Sequence, residues 1–142
     1  MILLDVNVVL AAHRENHPHR RAIRPWFDDL LAGDEPFTVP DTVWASFIRV
    51  STNRRIFTVP TPTNEAFEFL RATRGQPHHV AVVPGERHLE LFQELCTRDD
   101  AAGDLAADAY LAAMAIEHGC ELASLDRDFA RFSGLRWRRP GD

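Results

Sequence analysis

Five aspartates raise the question of chemistry in this chain. Asp5 sits inside the apolar opening run "MILLDVNVVL", Asp104 and Asp108 stand four residues apart in "DLAADAYLAAM", and Asp126 and Asp128 stand two apart in "LASLDRDF". A carboxylate in a strand bound for a core is too costly to keep uncompensated. Asp5 therefore lies at an exposed strand end or binds a cation. Asp104 and Asp108, at i and i+4, share one face of a helix start. Their mutual repulsion, typically about 0.2–0.5 kcal/mol, is partly offset by the helix N-terminus. An extended turn points Asp126 and Asp128 the same way. Three separate segments thus offer carboxylates that can converge beyond the strand ends of one sheet, and their repulsion in a low-dielectric cleft calls for a hard divalent cation. Mg²⁺ and Mn²⁺ suit carboxylate and water oxygens. Such ions activate water and clamp oxygens in phosphodiester hydrolysis. Taken singly, the acids have plainer readings: Asp104 suits a helix cap, Asp126 a cap on "RDFARF", and Asp128 a solvated surface. Asp108, already inside the helix, and Asp5, inside an apolar run, resist such readings.

These acids need a scaffold, and the hydrophobic pattern supplies one. At 142 residues and 16.1 kDa, with 45% hydrophobic residues, the chain reads as a single domain over 1–142 with one core. Met1–Val9 reads as a strand buried on both faces. A helix begins near Asn7–Val9 or after Pro18 and runs through "RRAIRPWFDDLLAG", with Trp26, Phe27, Leu30 and Leu31 as its apolar stripe and Gly33 as its stop. "PFTVP" is a second strand. A helix over "DTVWASFIRVST" follows, capped by Asp41 or Thr42. The next, over "TPTNEAFEFLRATRG", is capped by Thr63 and stopped by Gly75. "HHVAVVPG" is a third strand or an extended link. "GERHLELFQELCTRDDAAG" turns Leu89, Phe92 and Leu95 inward. "DLAADAYLAAMAIEHG" is a helix from about Asp104 to a stop at Gly119. "CELASLD" and "LRWRRP" are closing strands around a short helical turn in "DRDFARFSG". Strands alternating with helices predict an α/β fold: three α/β/α layers around a mostly parallel sheet.

Composition excludes several functions. All 16 basic residues are arginine. With no lysine, there is no P-loop lysine, no Schiff-base lysine and none for a phospho-acceptor site. Cys96 and Cys120 match no disulfide framework or zinc spacing, so both are expected reduced, in a cytoplasmic protein. No apolar run approaches the roughly 20 residues of a membrane span, and the first residues lack the basic start and cleavage site of a signal peptide. A net charge of −5 does not argue against nucleic acid, because the distribution of charge decides binding.

"LLDVNVVL", "DAYLAAMAIEHG" and "LASLDRDFARF" together resemble a PIN domain, specifically the VapC toxins of bacterial toxin–antitoxin pairs. The resemblance covers nearly the whole chain, and the order and spacing of the three blocks are more specific than any one of them. It implies an Mg²⁺- or Mn²⁺-dependent endoribonuclease that hydrolyses RNA, is neutralised by a cognate VapB antitoxin and is commonly a homodimer. It makes Asp5 the first acid, Asp108 the helix acid and Asp126 the late acid, with Asp128 a companion and Asn7 the small polar residue near the first acid. One departure stands out: where the family usually has a glutamate, "TVWASFIRV" has Ser46. A serine can bond a water but supplies no charge, and Asp104 is the candidate to compensate.

On this reading Asp5, Asp108 and Asp126, with Asp104, hold the metal, and Asp128 or Asp104 takes a proton as general base. Arg49, Arg54 and Arg55 in "RVSTNRRIF", and Arg127 between the late acids, position the RNA backbone. His13, His17 and His19 fit no closed metal site, and Trp26, Trp44 and Trp137 read as core or interface residues. Two other functions stay open. An aspartyl phosphatase needs a second aspartate where Asn7 stands, and a lysine. A degenerate PIN domain would bind RNA or antitoxin without cutting.

Overall fold

The computed structural model describes residues 1–142. The chain forms β1 (Ile2–Leu4), α1 (Val6–His13), α2 (Arg20–Ala32), β2 (Phe37–Thr38), α3 (Asp41–Ser51), α4 (Thr63–Arg74), α5 (His88–Arg98), α6 (Ala106–Glu117), β3 (Glu121–Ala123) and β4 (Arg136–Arg138). Two 3₁₀ turns, Gly103–Leu105 and Arg127–Arg131, flank α6 and β3. The strands make one parallel sheet in the order β2-β1-β3-β4, and the six helices flank it in the α/β/α layering expected. No helix is long and apolar enough to cross a membrane.

The sheet order matters for function. β1 pairs with β2 on one side and with β3 on the other, so the chain winds outward in two directions from the β1/β3 seam. In open α/β sheets the crevice beyond the carboxyl ends of such a seam is where ligands bind. Because all pairs are parallel, Asp5 after β1 and Ser124–Asp126 after β3 emerge at the same edge. The Asp5 N–H donates to the Ala123 carbonyl at 3.0 Å, carrying the ladder one residue past β1 and locking the two exits side by side.

A core of 31 buried residues fixes this seam in place. Leu3, Leu4 and Leu122 are fully buried from the sheet; Val8 and Val9 are buried from α1, and Phe27, Phe37, Phe47 and Phe129 fill the spaces between layers. Side chains packed at this density leave little room for the strand ends to shift. Both cysteines are free, and Cys120 is buried. Gly119 has φ +66°, the left-handed conformation that ends α6 in the manner its position predicts.

Several local expectations are corrected. The opening strand is only three residues long, and Val6–Val9 belong to α1. Ile2–Leu4 and Val8–Ala12 are both buried runs, so apolar periodicity does not separate the two elements; Asp5, accepting from the Val6 N–H at 2.7 Å, makes the break. Pro40 and Pro62, not Asp41, Thr42 or Thr63, occupy the N-cap positions of α3 and α4, and no side chain bonds those ends. Proline's fixed φ suits a helix start even without a capping oxygen. Leu89 points outward, 71% exposed, whereas Leu95 is buried. "HHVAVVPG" is an extended link with one bridge, Phe37 to His79. Asp104 lies in the Gly103–Leu105 turn and not in α6, so it does not share a helix face with Asp108.

Candidate functional site

Asp108, Asp126 and Asp128 each place a carboxylate oxygen within 4.8 Å of the others. Asp108 projects from the first turn of α6; Asp126 and Asp128 come from the turn after β3. Asp5 joins them electrostatically. Burial pushes its carboxyl above the ordinary value and the Asp126 charge adds to that, while bonds from Ser124 and the Val6 N–H oppose it. Asp108 is pushed up to about 6, first by burial and then by Asp5, Asp126 and Asp128 in turn; Arg131 pulls the other way. Four carboxylates feeling one another in a half-buried cleft are the arrangement that a cation relieves. The donor set, all carboxylate oxygen, fits a hard divalent ion such as Mg²⁺ or Mn²⁺ and not a soft one.

A serine and an asparagine hold the cluster in shape. Ser124, fully buried, donates its hydroxyl to Asp5 Oδ2 at 2.7 Å. Its Oγ accepts from the Asp126 N–H at 3.0 Å and from Asn7 Nδ2 at 3.1 Å. Asn7 Oδ1 accepts from the Leu125 N–H at 3.0 Å. Trp137 on β4 adds an indole N–H bond to the Ser124 carbonyl at 3.1 Å. One hydroxyl thus ties Asp5, Asn7 and the Asp126 backbone together with its bonding capacity filled. Asp126 Oδ1 caps the following turn by accepting from the Asp128 N–H at 2.9 Å, which aims Asp128 back at the cluster.

The remaining candidates divide by position. Asp5, Ser46, Arg49 and Asp108 line one cleft of about 440 Å³ between α3 and α6. Ser46 is therefore at the site, half-buried, without a charge. Asp104 is exposed on its turn and is not one of the three converging acids. Arg54 and Arg55 are exposed in the turn after α3, and Arg127 is exposed beside Asp126. His13, His17 and His19 assemble no ligand group; His13 bonds the Thr61 hydroxyl at 3.1 Å. Trp44 is buried in the core. Sequence reasoning missed Ser124, Arg131 and Tyr110. A small polar residue two places before Asp126 in "LASLD" was the available signal for Ser124, and Arg131, 3.8 Å from Asp128, follows it by one 3₁₀ turn.

Comparison with known proteins agrees with this fold. The family model for the PIN domain matches residues 2–135. The chain is 59% identical over 140 residues to Ribonuclease VapC25 of Mycobacterium tuberculosis, covering 99% of each. It is 44% identical over 142 residues to Ribonuclease VapC43 of the same organism, covering 100% of this chain and 97% of that one. Among solved structures, VapBC2 from Rickettsia felis bound to a promoter DNA fragment superposes with a TM-score of 0.68 at 18% identity, covering 97% of this chain and 98% of that one. Mycobacterium tuberculosis VapC20, a Sarcin–Ricin loop cleaving toxin, does so with a TM-score of 0.68 at 14% identity, covering 96% and 99%. The two structures are alike in fold. The chain belongs to the PIN-domain family and, within it, to the VapC ribonucleases.

Proposed function

We propose that this chain is the toxin of a type II toxin–antitoxin pair: an endoribonuclease that hydrolyses RNA phosphodiester bonds with the help of Mg²⁺ or Mn²⁺ and is held in check by a VapB-type antitoxin. The observation that carries the reading is the meeting of Asp108, Asp126 and Asp128 beside buried Asp5. The relatives named as ribonucleases and the VapBC complex among the structural neighbours support the activity and the partner.

Asp5, Asp108 and Asp126 are the residues that would hold the ion, with Asp128 at the open side. When bound, a divalent cation supplies Lewis acidity that acidifies water and offsets negative charge on a phosphate. The chain's own groups do the rest. Ser124 and Asn7 keep Asp5 and the Asp126 backbone in one geometry before substrate arrives, so no reorganisation is needed during reaction. Asp128, exposed at the mouth, takes the proton from the attacking water as general base. Arg49, lining the cleft from α3, binds the phosphate backbone, and Arg54, Arg55 and Arg127 extend that contact. Ser46 leaves the α3 wall without a carboxylate, which favours a single ion over a pair.

The deciding experiment incubates purified protein with total RNA in Mg²⁺ or EDTA and maps new ends by sequencing. Metal-dependent cuts at a few sites, absent in Asp5→Ala and Asp108→Ala, are expected. Uncut RNA in Mg²⁺ and in Mn²⁺ would refute the reading.

A further inference from the structure

The cleft is larger than a cation needs. Its volume of about 440 Å³ is of the size that takes a small organic ligand, and half of its lining is apolar. α3 contributes Val43 and Arg49; α6 contributes Asp108, Tyr110 and Leu111. Tyr110 is the one aromatic side chain there. It is also the only tyrosine in the chain.

Its ring is held from behind. His88 of α5, buried, lies with its ring centroid 4.4 Å from that of Tyr110 at an interplanar angle of 65°. His88 Nε2 is also 2.9 Å from the Tyr110 carbonyl oxygen. Phe92, one turn along α5, meets the same ring at 5.4 Å and 83°. These tilted and edge-to-face contacts fix the tyrosine plane, so a ligand stacking on it finds a preordered surface. Neither His88 nor Phe92 lines the cleft; they pack against the ring of Tyr110, which does line it.

We propose that Tyr110 is the base-stacking platform of this site. A nucleobase of single-stranded RNA lies against its ring and the apolar side chains of Val43 and Leu111, next to a phosphate held between Arg49 and the acid cluster. The assignment rests on the nuclease reading and adds the residue that receives an unstacked nucleotide of its substrate. Bases inside a duplex are stacked on their neighbours and cannot reach such a ring, whereas splayed bases stack on aromatic side chains without regard to sequence. Arg49 sets the register and Tyr110 selects the strand's conformation.

The test uses full-length protein carrying Asp126→Asn, which removes one acid and slows cleavage, and single-stranded RNA 12-mers with 2-aminopurine at successive positions. Quenching at one position is expected, with affinity falling about 10-fold or more in Tyr110→Leu and little in Tyr110→Phe. In the parent protein, Tyr110→Leu should raise KM on single-stranded RNA. If Tyr110→Leu quenches and binds as its parent does, the ring only packs α5 on α6 and the assignment is overturned. Equal loss in Tyr110→Phe would overturn stacking in favour of the hydroxyl. Should Tyr110→Leu unfold, photocross-linking of 4-thiouridine RNA to the unaltered ring decides: a cross-link on Tyr110 supports the platform, and cross-links elsewhere only refute it. A parent that neither binds nor cuts any RNA fails one level earlier, at the nuclease reading itself.

Discussion

Ser124 and Asp5 lie 119 residues apart in the chain and 2.7 Å apart in space, joined by a hydroxyl-to-carboxylate bond across the β1/β3 seam. That bond links the first acid of the site to the segment bearing the late ones. Ser124→Ala removes it and strands the Asn7 amide and the Asp126 N–H as well. A lost bond to a buried charged group costs about 1.5–3 kcal/mol. Partners that orient metal ligands are typically worth about 10- to 100-fold in metal affinity or activity. Chemical denaturation and Mn²⁺ titration of Ser124→Ala should show both losses; an unchanged metal affinity would mean that Asp5 needs no orienting.

Asp108 makes the metal-free protein sensitive to pH in a particular direction. Its folded pKa of about 6 lies above the ordinary 3.8, so between these values the folded chain keeps a proton that the unfolded chain has lost. Raising the pH through that window therefore favours unfolding, and the penalty is complete above it. Asp108→Asn cannot ionise and escapes the penalty. In EDTA its Tm should exceed that of the parent by a margin that grows from about pH 4 to about pH 7. A margin that stays constant with pH would show that the acids do not crowd one another.

The same proton competes with the ion. Binding a divalent cation requires Asp108 deprotonated, so apparent affinity should climb with pH until past about 6 and then flatten. Isothermal titration with Mn²⁺ at several pH values checks this, and proton release on binding should shrink as the plateau is reached. Asp108→Asn should abolish cleavage and most binding, a larger loss than the about 10- to 100-fold typical of an outer partner.

How much of this was written in the sequence depends on the distance over which each feature is decided. The alternation of apolar strands with helices, and the placing of Asp126 just past a strand end, depend on local pattern and were legible. The boundary at Asp5 was not, because Ile2–Leu4 and Val8–Ala12 are both buried runs and no apolar period separates them. The i, i+4 pairing of Asp104 with Asp108 fails because the chain runs through a 3₁₀ turn before α6, which the helix-friendly composition of "DLAADAY" conceals. Ser124 has only its place two residues before Asp126 as a local signal, which does not tell it from any other serine. Its role exists only once β1 and β3 are side by side.

Arg49 lines the cleft, while Arg54 and Arg55 stand on the turn beyond α3. Each phosphate contact on single-stranded nucleic acid contributes about 0.7 to the slope of log affinity against log salt. Arg49→Ala should therefore lower that slope by about 0.7 and raise KM. The double change of Arg54→Ala with Arg55→Ala should lower it by about 1.4. Fluorescence anisotropy across a salt series measures these slopes, and a slope unchanged by Arg49→Ala would remove this residue from the phosphate path.

At the far end of α1 from Asp5, Arg14 is buried without a carboxylate partner, 8% exposed. Its guanidinium donates to the Val59 carbonyl at 2.9 Å, the Thr61 hydroxyl at 3.2 Å and Asn16 Oδ1 at 3.3 Å, and lies 3.6 Å from the centroid of Phe57. Burial lowers its pKa, but a guanidinium stays charged in a protein, so neutral acceptors and a π face carry the compensation. Three of these contacts reach into residues 53–61, the segment between α3 and α4 that presents Arg54 and Arg55. Arg14→Met should lose about 2–4 kcal/mol of stability, since bonds to a charged donor are worth about 1.5–3 kcal/mol each and do not add fully. Hydrogen exchange should accelerate across 53–61. Metal affinity should hold, because α1 separates Arg14 from the acids by eight helical residues, about 12 Å. Unchanged exchange in that segment would show that the Thr61 N–H bond to the Ser51 carbonyl, 2.8 Å long, holds it without the arginine.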